Sequence, residues 1–236
     1  MKPLIADLHM HSIMSGHAFG TIRELAQEAA GRNMQLIGVT EHGPSIPGTC
    51  DPIYFRNFID APRNLYGVEL LYGSEMNVLA GGKVDLDGKA LADLDYGVVG
   101  IHGLCYQNEG VLGNTRNVIG CMQCPKVRFV SHPDDNHFPL DYVALVQAAK
   151  ELDVALEVNN ASLRKTWLRP GSYDNYRELL PLCADNGVKI IVNSDSHDPS
   201  TVGDFALAQS LLEELDFPDE LILNNDVQKL KAFLLK

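Results

Sequence analysis

The fold class this sequence predicts is α/β, a barrel-like single domain with its site at the C-terminal ends of the strands. Three observations predict it. Short runs rich in Val, Ile and Leu alternate with amphipathic helices, which implies a parallel sheet covered on its outer face. Seven such runs occur, and nearly all stop at a histidine, glutamate or aspartate. Those polar ends come from around the whole circuit, whereas an open sheet gathers its site at one crossover point, so a closed barrel fits better. At 236 residues and 45% hydrophobic, the chain is long enough for one well-cored domain over residues 1–236.

The strands are expected at about residues 3–9, 35–40, 68–74, 97–102, 127–131, 153–159 and 188–194. Thr21-Ile22-Arg23-Glu24 spells a capping box that opens a helix through about Arg32. Val84 to Gly88 reads as a small hairpin or turn on the third unit. Asp141 opens a helix through about Leu152, with Tyr142, Leu145, Val146 and Ala149 at apolar helical spacing. Ser172 is expected to cap a third helix, ended by Asn186-Gly187. Gly203 to Leu215 and Asp226 to Leu235 supply two more.

Net charge of −12 argues against a nucleic-acid backbone or an anionic membrane as the main partner. It leaves room for a small phosphorylated substrate, because bound cations reverse the potential locally. Five cysteines, an odd number without a secreted-scaffold spacing, point to free thiols and a cytoplasmic location. Cys121-Met122-Gln123-Cys124 is a lone CxxC and reads as structural. Asp7 and His9 arrive before a signal-peptide apolar region could form, and no run approaches a membrane span.

The chemistry lies at the strand ends. His9 and His11 close the first run and His17 follows; His42 ends the second and Glu75 the third. His102, His132 and the pair Asp195 and His197 end the fourth, fifth and seventh. Imidazoles and carboxylates bind first-row transition metals. Strand residues two apart share a face, so His9 with His11, and Asp195 with His197, can each grip an ion at two points. Asp7, of the same parity, is placed to accept the other ring N–H of a ligating imidazole, and Glu41 has the opposite parity. A lone histidine or strand-end acid is more often a core residue or a helix cap, but nine donors at six of seven strand ends are not lone examples. His137, in the turn Pro133 to Pro139, is the contrast and reads as an ordinary loop residue.

At these points the sequence resembles the PHP (polymerase and histidinol phosphatase) family, with the order and spacing of its YcdX-type bacterial phosphatases. The matching pieces are Asp7-Leu8-His9-Met10-His11-Ser12, Thr40-Glu41-His42, Gly73-Ser74-Glu75, Ser131-His132-Pro133 and Asn193-Ser194-Asp195-Ser196-His197. The resemblance implies a distorted, TIM-like (β/α)7 barrel and a trinuclear metal centre, with zinc the expected ion and manganese or iron compatible. Carried over by position, it implies His9, His11, Glu75 and Asp195 on one ion. His17, His42 and His197 would hold a second. Glu75, His102 and His132 would hold a third, with Glu75 bridging.

Three divalent ions against two carboxylates make a locally positive site that suits a phosphate ester, attacked by a metal-bridging hydroxide rather than by a side-chain nucleophile. The reading is therefore a metal-dependent phosphatase acting on a small phosphorylated metabolite. In the loop after the sixth strand, Arg164 and Arg169 are candidates to clasp the phosphate, with a plain solvated loop as the alternative. Trp167 is expected to pack on a neighbouring loop or a second copy of the chain, which leaves a homo-oligomer open. Other readings are an amidohydrolase-type C–N hydrolase, disfavoured because no Lys stands at the Glu75 or His102 positions, a nuclease or proofreading role, disfavoured by the lack of a basic track, and a non-catalytic metal-binding module.

Overall fold

The computed structural model describes residues 2–236. In chain order the strands are β1 (Ala6–Asp7), β2 (Leu36–His42), β3 (Asn64–Leu65), β4 (Val68–Leu79), β5 (Lys83–Val84), β6 (Tyr96–Gly100), β7 (Val127–Val130), β8 (Ala155–Asn159) and β9 (Ile190–Asn193). Seven of them, β1, β2, β4, β6, β7, β8 and β9, are parallel neighbours in that order around a nearly closed barrel, while β3 and β5 pair antiparallel with β4. The helices are α1 (Ile22–Gly31), α2 (Ile53–Arg56), α3 (Gly88–Ala92), α4 (Gly110–Met122), α5 (Tyr142–Leu152), α6 (Asn160–Arg164), α7 (Ser172–Asn186), α8 (Ala206–Glu214) and α9 (Val227–Leu234). The α/β barrel expected from the sequence is the observed architecture.

Alternation along each strand sorts two cores. Ile37, Val39, Leu70, Tyr72, Leu156 and Val158 face outward onto the helices, where Leu25, Ala26 and Ala29 of α1 meet the same apolar cluster. Ala6, Leu8, Leu36, Leu71, Phe129 and Ile191 point inward with Tyr96, and α9 plugs that inner core with Leu230, Phe233 and Leu234. Arg128, early in β7, donates to the Leu234 carbonyl at 2.9 Å, so the plug sits at the N-terminal end of the strands. Tyr96 fits inside only because residue 38 is glycine: a Cβ there would stand 1.9 Å from the phenol oxygen. Moving two residues at a time toward the strand C-termini, the inward side chains turn polar, as in Leu71, Gly73, Glu75 or Ala155, Glu157, Asn159. The apolar end holds the barrel together and the polar end carries the site.

The circuit closes at β1 and β9 by side chains rather than by a full ladder. One backbone bridge joins Met10 and Ser196. Leu8 N–H donates to Asn193 Oδ1 at 2.8 Å and Ser194 N–H to Asp7 Oδ1 at 3.2 Å. Asn224 stands in for a missing strand: its Oδ1 accepts from Val192 N–H at 2.7 Å, and its Nδ2 donates to the carbonyls of Ala6 at 2.9 Å and Val192 at 2.8 Å. Without a second ladder, β1 shrinks to two residues where the sequence suggests seven.

Local signals in the sequence mostly recur in the structure. Both halves of the Thr21–Glu24 capping box form, Asp141 caps α5, and Asp226 caps α9. Ser172 is not a cap; Gly171 takes that place at φ 84°, and Ser172 donates to the Arg169 carbonyl at 2.6 Å. Helix α4 has no counterpart in the sequence reading, because Gly110, Gly113 and Gly120 weaken its helical signature. Among the described residues, no helix is long and apolar enough to cross a membrane.

Candidate metal centre

The strand ends deliver all nine expected donors to one mouth. His9 and His11 follow β1, His17 lies just beyond the 3-10 turn Ile13–Ser15, and His42 ends β2. His102 follows β6, His132 follows β7, and Asp195 and His197 follow β9. Glu75 sits differently from the expectation. It lies inside β4, which runs on to Leu79 because β5 pairs with its far end. His132 and Asp195 adopt left-handed backbone angles, φ 30° and 50°, a strained geometry of the sort found where side chains must be aimed into a site. Gly100 makes space beside them, since a Cβ there would lie 2.9 Å from Glu75 Oε1.

Glu75 is the hub. Its Oε2 is 2.9 Å from His42 Nδ1, 3.3 Å from His9 Nε2 and 3.5 Å from His11 Nε2. Its Oε1 is 2.7 Å from His132 Nε2 and 3.5 Å from His102 Nε2. Asp195 Oδ1 lies 3.7 Å from His9 Nε2 and 3.4 Å from His11 Nε2. Donors about 2.0–2.2 Å from a tetrahedral ion stand roughly 3.3–3.6 Å apart, close to the longer of these separations, whereas His132 and His42 approach Glu75 more closely. Three groups of potential ligands form: His9, His11 and Asp195; His42, Glu75 and His102; and His11, His42 and His197. His17 joins the last region through His197, with 3.2 Å between their Nε2 atoms.

Hydrogen bonding prepares the imidazoles for the same task. His9 Nδ1 is 2.8 Å from Glu157 Oε1, a carboxylate that also accepts from His132 N–H, Asn159 and Asn193. Ser15 Oγ donates to Glu41 at 2.6 Å, so its lone pairs are left to accept from His11 Nδ1 at 3.0 Å. Asn77 Nδ2 donates to Asp85 at 2.6 Å, so Asn77 Oδ1 is the acceptor facing His102 Nδ1 at 2.7 Å. In all three rings the partner draws a hydrogen to Nδ1, which makes Nε2 the nitrogen that binds a cation once any second proton has left. Those Nε2 atoms, with His42 Nδ1 and Glu75 Oε2, are buried and have no hydrogen-bond partner. Buried polar atoms are rarely left so, and cations bound in these groups would satisfy all five. The residues fit a metal centre.

The electrostatics agree. Burial disfavours a charged His9, yet Glu157, Glu75 and Asp195 raise its pKa well above the ordinary value. Burial likewise opposes charge on Glu75, but His9, His102 and His132 hold its carboxyl far below the usual range. Burial, reinforced by His42 and His197, pushes His11 well down, and burial takes His197 to about 4. The centre attracts positive charge at His9, while His11 and His197 are held neutral and free to ligate.

Several partners differ from the sequence expectation. Asp7 does not orient His9, because the chain leaves strand geometry after Asp7 and turns that carboxylate to the backbone N–H groups of Ser194 and Gly203. Glu157 does so instead; its signal was a lone acid inside a wholly buried strand. Above the centre opens a cavity of about 330 Å³, lined by His17, Phe19, His42, Lys165, Arg169 and His197 among others. Arg169 lines it, bonded to Ser162 Oγ at 3.0 Å and Asp195 Oδ2 at 3.2 Å. Arg164 does not: on the preceding short helix it turns away to pair with Asp204 at 2.8 Å. Trp167 is 78% exposed and so does not pack on a loop of its own chain. His137 is exposed and bonds Asp135 in its turn.

A family model described as the PHP domain matches residues 7–194. Over 235 residues the chain is 37% identical to a "Probable phosphatase" of Clostridium acetobutylicum, covering 99% of this chain and 95% of that protein. A "Probable phosphatase" of Caldicellulosiruptor saccharolyticus is 35% identical over 98% of this chain and 96% of its own. Among solved structures, a histidinol phosphate phosphatase of Lactococcus lactis, complexed with zinc, L-histidinol and phosphate, superposes with a TM-score of 0.65. It is 16% identical, covers 91% of this chain and 95% of that one, and so speaks to the fold.

Proposed function

Because the chain belongs to the PHP domain family and is a metal-dependent phosphoesterase, we propose that it hydrolyses a small phosphorylated metabolite at a centre of three divalent ions. The observation that carries this is the set of five buried donor atoms without hydrogen-bond partners, which fall within adjoining groups of potential ligands. His9, His11, Glu75 and Asp195 would hold one ion, His17, His42 and His197 a second, and Glu75, His102 and His132 a third. Zinc suits these nitrogen and oxygen donors, as do manganese and iron. When bound, the ions supply Lewis-acid stabilisation of phosphoryl charge and an activated water.

The chain's own residues do the rest. Glu157, Ser15 and Asn77 hold three imidazoles in the ligating tautomer. Arg169, braced by Ser162, presents its guanidinium to a phosphate oxygen from the cavity wall. The cavity suits one small ester, and the acidic surface with five free thiols supports one cytoplasmic domain working on metabolites rather than on nucleic acid or membrane. Zinc-loaded protein is expected to hydrolyse 4-nitrophenyl phosphate and to lose that activity when a chelator strips the ions. Equal rates with and without chelator would show the reading to be wrong.

A further inference from the structure

We propose that the mouth selects esters whose leaving alcohol carries a second anion, received by Lys165, and rejects leaving alcohols that carry an ammonium group. The inference rests on the phosphoesterase reading and adds the substrate class.

The charges lining the cavity are unbalanced. Its one carboxylate is Asp195, already engaged on both oxygens: Oδ1 faces His9 and His11, and Oδ2 meets Arg169 and Asn159. A cationic leaving group would therefore find no free counter-ion there, in a cavity that also holds two cationic side chains. Lys165 is half-buried on the lining and, among the described residues, makes no ion pair or side-chain hydrogen bond. Its neighbour Arg164, by contrast, is neutralised by Asp204.

The two cations are tied into one turn beyond α6, where Arg169 N–H donates to the Lys165 carbonyl at 3.1 Å, and both line the cavity. With Arg169 engaging the scissile phosphate, Lys165 on the same lining is left for a second anion on the leaving alcohol. Phe19 and Leu168, 78% and 57% exposed, line the same cavity and offer carbon surface to the body of the molecule.

The test uses metal-loaded protein and four esters of two-carbon alcohols: 2-phosphoglycolate, 1,2-ethanediol bisphosphate, 2-hydroxyethyl phosphate and O-phosphoethanolamine. The carboxylate or the second phosphate ester is expected to exceed the ammonium ester in kcat/KM by about tenfold, a plausible size for one half-buried charge pair. Which of the two wins identifies the second anion. Lys165→Met should shrink that ratio toward one, and Lys165→Glu should invert it. Calorimetry gives a readout free of turnover: 3-phosphonopropionate should bind more tightly than 2-aminoethylphosphonate, and Lys165→Glu should reverse the order. An ammonium ester that matches the anionic ones, or an order unmoved by Lys165→Glu, overturns the proposal while leaving the phosphoesterase reading intact. If no ester is cleaved yet the phosphonates bind in the stated order, the phosphoesterase reading fails and the anion site stands.

Discussion

At the floor of the mouth His9 and His11 are fully buried, and each has its Nδ1 fixed by a partner, Glu157 for one and Ser15 for the other. At the rim His17 is exposed and His197 is 23% exposed; they face each other, and His197 Nδ1 lies 3.2 Å from the Asp195 carbonyl and 3.5 Å from Asp195 Oδ1. The same side chain thus serves in two ways. Floor imidazoles are held in place before any ion arrives, so binding costs little ordering and the geometry is rigid. Rim imidazoles are neutral and accessible, with burial lowering both their pKa values, but less braced. An ion held at the rim is expected to exchange more readily than one held at the floor.

The largest perturbation of that contrast is Glu75→Gln, which alters the carboxylate whose one oxygen lies by His9, His11 and His42 and whose other lies by His102 and His132. More than one ion per chain should be lost on desalting, and activity should fall by at least about a hundredfold, beyond the range seen for outer partners. Elemental analysis with a rate assay checks this, and a full metal complement in the variant would contradict the hub role.

Next in size is Glu157→Gln, which keeps the shape but removes the charge that braces His9. Metal affinity should drop about 10- to 100-fold. The sign with pH follows from His9: its pKa is raised in the ion-free protein, so it carries a proton at neutral pH that a cation must displace. Zinc affinity should therefore rise with pH, with about one proton released per chain, seen as a binding heat that varies with the buffer's ionisation enthalpy. In Glu157→Gln the His9 pKa falls and that release should shrink. A buffer-independent heat in the parent protein would remove the argument.

The smallest effect belongs to His17→Ala. At saturating zinc, activity should fall by no more than about tenfold, with the loss appearing mainly as faster exchange of one ion. If His17→Ala proves as damaging as Glu75→Gln, floor and rim are not distinct.

How far the sequence reveals this site depends on what each residue's neighbours report. His42, Glu75, His102 and Asp195 are legible because an apolar run stops or turns polar at each, and a polar side chain at the end of a barrel strand has few places to point. Glu157 is hidden because nothing in Ala155-Leu156-Glu157-Val158-Asn159 says which face looks inward, and its partner His9 lies 148 residues away. Asp7 misleads for the opposite reason: parity holds only while the strand does, and β1 ends at Asp7. Asn77 and Asp85 come into register only through the β4–β5 hairpin, which reads in sequence as mere decoration. Arg164 and Arg169 look equivalent in a loop; the turn that buries one and pairs the other with Asp204 is a tertiary outcome.

Asn224, which stitches β1 to β9, contributes no donor, yet it lies 218 residues along the chain from the Ala6 carbonyl it holds. A polypeptide emerging from the ribosome therefore carries its first histidines long before the wall behind them exists. The nine donors are thus brought together only once the last strand and Asn224 have been made, which places completion of the cage late in synthesis.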